Sequence, residues 1–340
     1  MGVVVDEREQ TAGGDRDGDG WTLTERLADA MLRQTAAGID AETLAAGRRF
    51  VLDWLGCAIA GTATPAGAML IAEGASRGPG PAAVLGVVEG RDAETAALVN
   101  GGLAHIVEMD DLDRASVVHP GCVVMPAALA AAEERGADGR IFLTAVVAGY
   151  EAASRIGAAV GQSHYAYWHN TATCGAYGAA AAAGVVLGLD PEQLVWALGN
   201  AGSIAGGLWQ FNHDGAMTKH LHAGRAAANG VLAARLAARG FTGARAILEG
   251  PQGLFAAASR DARPERVVAG LDGLGGETPW RIHGVSIKPH ASCRHTHPAV
   301  DAAIALRDEL PAAADDAVRE ALVETYGAAL AVTNAPEPAN

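Results

Sequence analysis

The stretch Thr171-Ala172-Thr173-Cys174-Gly175-Ala176-Tyr177-Gly178-Ala179-Ala180-Ala181-Ala182-Ala183-Gly184-Val185-Val186-Leu187 decides the fold. Alanine is the strongest helix former, and a proline-free run of this length reads as one helix. Its face carries almost no side-chain volume, so neighbouring helices can approach closely. The same texture returns at Gly224 and Ala226-Ala227-Ala228. In a chain with only 5% aromatics this points to a tightly packed multi-helix domain. Polar and charged residues interrupt each segment, which separates the pattern from a membrane bundle.

Outward from this run, helix patterns dominate. Asp40 to Gly61 opens on an aspartate cap and closes on glycine, with Leu44, Val51, Leu52, Leu55 and Ile59 read as its apolar face. Further helices are expected over Asp92 to Val107, Met125 to Arg135, Arg140 to Val160 and Lys219 to Arg239. Asp190-Pro191-Glu192-Gln193 is a firm helix start, with Asp as cap, Pro in the first turn and Gln placed to reach back. Ala82 to Val87 is short and apolar, a strand or a connector. After Pro264 glycine and proline increase, Gly284 to Ile287 reads as a strand entry, and Arg319 to Leu330 mixes β-branched alternation with alanine. The expected class is mainly α: a disordered leader over residues 1–20, an all-helical domain over 21–265, and the start of a smaller, incomplete α/β lid over 266–340. The turn-rich Thr333 to Asn340 has no element after it and reads as cut.

At 340 residues, half of them apolar, the chain can bury a substantial core. A formal charge of −14 without an offsetting basic cluster argues against nucleic acid or an anionic membrane as partner. The acidic, glycine-rich first residues contain no apolar signal core, which places the chain in the cytoplasm. Cys57, Cys122, Cys174 and Cys293 are widely spaced, giving neither a disulfide framework nor a zinc-finger spacing. P-loop, dinucleotide-binding and nucleophile-elbow motifs are missing from the sequence.

Lysine is the compositional outlier. Of 25 basic residues only Lys219 and Lys288 are lysines, and each stands near histidines. A chain that uses arginine for solvated charge keeps lysine where a compact, tunable ammonium is needed. Asn100 to Asp111, with His105, Glu108, Asp110 and Asp111, is followed by His119-Pro120-Gly121. This carboxylate turn with a nearby histidine can supply a base and its orienting partner, or a metal site. His169 stands at the start of the alanine helix, where the dipole keeps an imidazole neutral. Lys219 and His222 are three apart and share a helix face. Lys288 to His297 packs two cations and three histidines into ten residues, including His290 and Arg294, as suits capture of a small di- or tricarboxylate. His105, Asp110 or Asp111 and His119 can be drawn around a metal, but no HExxH accompanies them, and Lys219 would repel a cation at His220-Leu221-His222. The expectation is therefore no metal.

Taken in order, Asn100-Gly101 to His105, Asp110-Asp111, His119-Pro120-Gly121, Gly149-Tyr150-Glu151 with Arg155-Ile156, His169, Thr218-Lys219 with Gly224, and Lys288 through Cys293-Arg294 to His297 resemble the MmgE/PrpD family. That family includes 2-methylcitrate dehydratase, cis-aconitate decarboxylase and iminodisuccinate epimerase. The resemblance implies a large helical domain with a smaller α/β lid, a homodimer, no metal or organic cofactor, and a polycarboxylate bound between the domains. Carried over by position, it implies catalytic roles for Glu108, Asp111, His119, His169, Lys219 and Lys288, and substrate contacts for His222, His290 and Arg294. The family usually has Asp where Glu108 stands, and its members continue well past Asn340. The chemistry it implies starts at a carbon α to a carboxylate, where cations stabilise an enediolate-like charge and a histidine moves the proton. A hydro-lyase of the 2-methylcitrate dehydratase kind is the leading expectation. Epimerisation, decarboxylation and a non-catalytic carboxylate-binding role are the alternatives.

Overall fold

The computed structural model describes residues 20–309 and 318–333. The expected leader falls, but for Gly20, outside the described residues, as does the terminal connector beyond Thr333. The architecture is mainly α, as the sequence implies. In chain order the elements are α1 (Leu23–Ala37), α2 (Ala41–Thr62), α3 (Pro65–Ala75), β1 (Pro79–Ala82), α4 (Ala93–Ala104), β2 (Leu112–Asp113), α5 (Gly121–Arg135) and α6 (Gly139–Ala159). There follow α7 (Gly161–Tyr165), α8 (Asn170–Leu187), α9 (Pro191–Ser203), α10 (Gln210–Asp214), α11 (Thr218–Ala237), α12 (Leu254–Ala258) and α13 (Glu265–Val268). The last are β3 (Val285–Ser286), α14 (His297–Glu309) and α15 (Gly327–Thr333).

Side chains at the helix starts explain the boundaries. Thr22 and Glu25 close a reciprocal capping box on α1, and Asp190 and Gln193 do the same on α9. Asp40, Asp92 and Asp138 accept hydrogen bonds from first-turn N–H groups of α2, α4 and α6.

The alanine helix α8 is the centre of the molecule, packed against α5, α6, α9 and α11. It is buried almost throughout, from Asn170 to Gly184. On its far side from α6 lies α11, which is wedged between α8 and α4. Two glycines of α11 make this possible. A methyl group added at Gly230 would stand 2.3 Å from Ala179 Cβ, and one at Gly224 would stand 2.2 Å from the Leu98 carbonyl oxygen. Neither position has room for any side chain.

The apolar face expected for α2 is rotated in the structure. Leu44 is buried and Val51 and Leu55 are half-buried, but Leu52 and Ile59 are 71% and 53% exposed. The helix turns on its two large aromatics instead. Phe50 and Trp54, four residues apart, bury the greater apolar area, and Ala58 follows on the same stripe. The strand near Ala82 ends where the apolar run begins, and Val84 to Val87 is a tight turn.

Residues after Pro264 join the same core. Val267, Leu271, Leu274, Trp280 and Ile282 are buried within the helical hydrophobic cluster. A buried pair on α6 staples them: the Arg155 guanidinium donates to Glu151 and to the carbonyls of Val267 (3.1 Å) and Ala269 (2.7 Å). The second Glu151 oxygen accepts the Arg281 N–H at 2.6 Å. This delivers the chain to β3, which pairs antiparallel with β2 in the register Leu112↔Ser286 and Asp113↔Val285. The strand entry at Gly284 to Ile287 is thus realised as a two-stranded ladder, not as the edge of a larger sheet. Among the described residues of the expected lid there is no further strand. Residues 318–326 have no regular structure, and the alanine-rich 327–333 form α15 where alternation suggested extended chain.

Two substitutions test this account. Arg155→Ala leaves the Glu151 carboxylate buried without its cation, at an expected cost of about 3–5 kcal/mol. Gly230→Ala should cost about 1–3 kcal/mol by forcing α11 away from α8. Urea unfolding monitored by circular dichroism reads both, and an unchanged midpoint in either would refute the packing described.

Candidate functional site

The first component is the irregular chain between α4 and α5. His105 caps the end of α4, and three residues later Glu108 takes a left-handed backbone conformation, φ 56°. The turn is anchored by Asp111, whose carboxylate accepts the Tyr150 hydroxyl at 2.5 Å and the Gly121 N–H at 2.9 Å. Gly121 begins α5, so Asp111 also caps that helix. A second turn, held by Asp113 accepting the Ser116 hydroxyl at 2.6 Å, returns the chain to His119.

The second component is the start of α8, where His169 is the N-cap residue. Two bonds tie it to the first: the Thr171 hydroxyl accepts the His119 N–H at 3.1 Å, and Asn170 donates to the Ser116 carbonyl at 2.8 Å. The third is the first turn of α11, carrying Lys219, His220 and His222. Three helices, α5, α8 and α11, therefore begin at one place. The dipoles of the three helices favour an anion there.

Imidazoles fill the centre. The His105 ring lies 4.9 Å from His119 and 5.4 Å from His169, nearly parallel to the latter. His169 and His222 approach at 3.4 Å between Nδ1 atoms, so one carries the shared proton and the other accepts it. Trp209 and Phe211 pack their rings on His169 at 5.0 and 6.4 Å. Asp110, fully buried, accepts from His105 Nδ1 at 2.7 Å and stands 3.3 Å from His119 Nδ1. With its proton directed to Asp110, His105 presents a lone pair on Nε2, which has no partner among the described residues. A carboxylate that orients a histidine whose other nitrogen is free is the arrangement of a general base.

Beside the histidines the two lysines meet. Lys219 Nζ bonds one oxygen of Glu108, and Lys288 Nζ lies 3.5 Å from the other. Lys288 is brought there by the β2–β3 ladder, its side chain wholly buried, with a further bond to the Ser292 carbonyl at 2.9 Å. A lysine in the first turn of a helix opposes the dipole, so Lys219 is placed there against local preference.

The charges of the site follow from burial and these pairings. Burial alone would raise Glu108, but the Lys219 ammonium holds it down at about 2. Burial disfavours the Lys219 charge, yet Glu108 outweighs this and keeps it an ammonium. Burial pushes His105 down to about 4, and it holds His169 well below the ordinary range with help from the charges of His105 and Lys219. His222 is lowered by burial and then by Lys219. Asp110 resists burial through its two histidines and lies well below the usual carboxylate range. Asp111 goes the other way: burial raises it to about 8, which its bonds to Tyr150 and Gly121 oppose and the neighbouring Asp53 and Asp110 reinforce.

The structure thus brings together His119, His169, His222, Glu108, Lys219 and Lys288. Asp111 lies behind them as an anchor, and the carboxylate that meets the histidines is Asp110. His290 turns away to Asp301, at 2.7 Å, and packs on His297, while Arg294 sits in a short turn before α14. His105 and Asp110 belong to the acidic turn read from the sequence but received no role from the family resemblance, and Asp53 was not among the expected site residues. Asp53, on the half-buried side of α2, is raised to about 6 by burial and by Asp110, and bonds the Asp111 backbone. His105, Asp110 and His119 also offer three ligand atoms within 4.8 Å of one another, enough for a metal ion, although the existing His–Asp bond already uses two of them.

Residues 25–267 match the MmgE/PrpD N-terminal domain. A cis-aconitate decarboxylase-like protein of Aspergillus oryzae is 28% identical over 306 residues, covering 85% of this chain and 62% of the relative. Cis-aconitate decarboxylase of Aspergillus terreus is 30% identical over 288 residues, covering 80% and 58%. The chain spans less than two thirds of the length of either relative.

The buried imidazoles have a pH signature. His164, behind His169, donates from Nδ1 to the Ala258 carbonyl at 3.2 Å and accepts the Thr173 hydroxyl at 2.9 Å; burial lowers it, like His105, to about 4 from 6.5. Below its ordinary value the unfolded chain binds protons that the folded chain refuses. The stability contributed is therefore full above pH 6.5 and is lost as the pH falls towards 4. Thermal unfolding from pH 7 to 4 should show this decline, and His164→Gln, distant from the lysines, should flatten it. An equal slope in the variant would count against a buried neutral His164.

Proposed function

The chain belongs to the MmgE/PrpD family, and on that premise we propose that it is a cytoplasmic lyase acting on a small di- or tricarboxylate. The observation that carries the reading is the convergence of both lysines of the chain and four histidines on the shared beginnings of α5, α8 and α11. One substrate carboxylate lies against Lys219 and Lys288, where ammonium charge and helix N-termini stabilise the enediolate-like charge that forms at the adjacent carbon. An imidazole of the His105, His119 and His169 group handles the proton. His105, oriented by Asp110, accepts one through Nε2, and the His169–His222 pair passes one on. Trp209 and Phe211 keep water from His169, which strengthens every electrostatic contact at the reacting carbon.

Dehydration, decarboxylation and epimerisation share this intermediate and differ in what leaves. The two fungal relatives are named for cis-aconitate decarboxylation, which moves the preferred branch from hydro-lyase to carboxy-lyase. In that branch a carboxylate departs as carbon dioxide, its bonding electrons remain on the α carbon, and a histidine supplies the proton that replaces it. The homodimer expected from the family resemblance belongs to the same proposal. The four cysteines, all free thiols, support a reducing compartment.

Proton NMR in D2O with cis-aconitate, citrate, 2-methylcitrate and iminodisuccinate distinguishes elimination, decarboxylation and α-proton exchange in one series. Turnover of one of these is expected, with Lys219→Ala and His169→Ala each slower by about 100-fold or more while remaining folded. Undiminished turnover in both variants would sink the assignment.

A further inference from the structure

Glu108 has a position that a proton carrier does not need. Its carboxylate is divided between two ammoniums, one oxygen towards Lys219 and the other towards Lys288, and these are the only lysines of the chain. Its backbone occupies the left-handed region, one of two such non-glycine residues among those described, at a cost of order 1 kcal/mol or more. It also lies on the solvent side of the cradle with Lys219: the Glu108 and Lys219 side chains are 24% and 20% exposed, and that of Lys288 is wholly buried. No imidazole takes Glu108 as a hydrogen-bond partner; Asp110 serves His105 and stands by His119 instead.

We propose that Glu108 is an internal stand-in for a substrate carboxylate. It occupies the two-ammonium cradle while the site is empty and swings out when a ligand carboxylate takes its place. This deepens the polycarboxylate reading above and rests on it. Glu108 and one ligand carboxylate each bring a single negative charge to the two ammoniums, so the exchange by itself gains no charge pairing at the cradle. A ligand must therefore bring enough charge elsewhere, at His169, His222 and the helix N-termini, to make the exchange favourable. A monocarboxylate cannot do so, and a di- or tricarboxylate can. Glu108 in this way selects ligands by their number of carboxylates, and the longer reach of Glu relative to Asp lets it span both ammoniums and still withdraw towards solvent.

The test is calorimetric titration at pH 7 with tricarballylate, a tricarboxylate that has no leaving group, and with propionate as a monocarboxylate. The proteins are the wild-type chain, Glu108→Gln, Glu108→Gly and Lys219→Ala, each checked for folding by thermal unfolding. Glu108→Gln removes the charge and keeps the shape. Glu108→Gly also relaxes the left-handed backbone, so a folding defect in one variant leaves the other. Tricarballylate should bind either Glu108 variant about tenfold or more tighter than the wild type, propionate should gain measurable affinity, and Lys219→Ala should lose binding. If the Glu108 variants bind tricarballylate no better while Lys219→Ala still weakens it, the stand-in is refuted and the carboxylate site survives. If tricarballylate binds none of the four proteins, the carboxylate reading falls and the stand-in falls with it.

Discussion

The distance between the axes of α8 and α11 is the constraint on which the site depends. Their contact is backbone on methyl group, Gly230 against Ala179, with Gly224 repeating the arrangement against α4. Alanine and glycine lose no side-chain rotamers on burial, and such closeness lets backbone atoms themselves make dispersion contacts. Ordinary core residues would hold the axes about 8–10 Å apart. The imidazoles of His169 and His222, which grow from the ends of these two helices, would then separate beyond the 3.4 Å at which they share a proton. The small-residue texture is thus a ruler for the chemistry as well as a way of filling space.

A second constraint positions the segment bearing Lys288. That segment comes from the far end of the described chain and has only a two-residue ladder to hold it against β2. The buried Glu151–Arg155 pair on α6 supplies the rest, binding three backbone groups of that segment. A buried ion pair adds little net stability, but it penalises every arrangement in which its partners are missing. Here the penalised arrangements are those in which residues 267–281 shift along α6. The pair fixes where the chain enters β3, and hence where the Lys288 ammonium ends.

Much of this was legible in the sequence because it is local. Asp40, Asp92 and the Asp190–Gln193 box declare helix starts through bonds only a turn long, and the alanine run needs no partner to read as helix. The two lysines stood out by rarity, and both reach the site. What could not be read depends on contacts across the fold. The rotation of α2 is set by Phe50 and Trp54 competing with Leu52 and Ile59 for one groove. The choice between Asp110 and Asp111 is made by distant partners, His105 and His119 for the first and Tyr150 and Gly121 for the second. Asp53 is a lone acid between Leu52 and Trp54, without any local sign that it faces the Asp110–Asp111 turn. The cationic run after Lys288 looked uniform in sequence, yet Asp301 claims His290, while Lys288 and His297 are buried.

The Lys288–Glu108 contact spans most of the folded chain, and this orders events during synthesis. When the ribosome has released α11, the histidines and the Glu108–Lys219 pair can already form, while the part of the core contributed by residues 267–282 is still to come. Lys288 then lies about fifty residues beyond the end of α11, still to be made. Loop closure over such separations is slow, and domains fold from the amino-terminal side as they emerge. The nascent protein therefore carries a carboxylate already matched by one ammonium, and arrival of the segment bearing Lys288 both completes the core and leaves the cradle with an excess positive charge for a ligand.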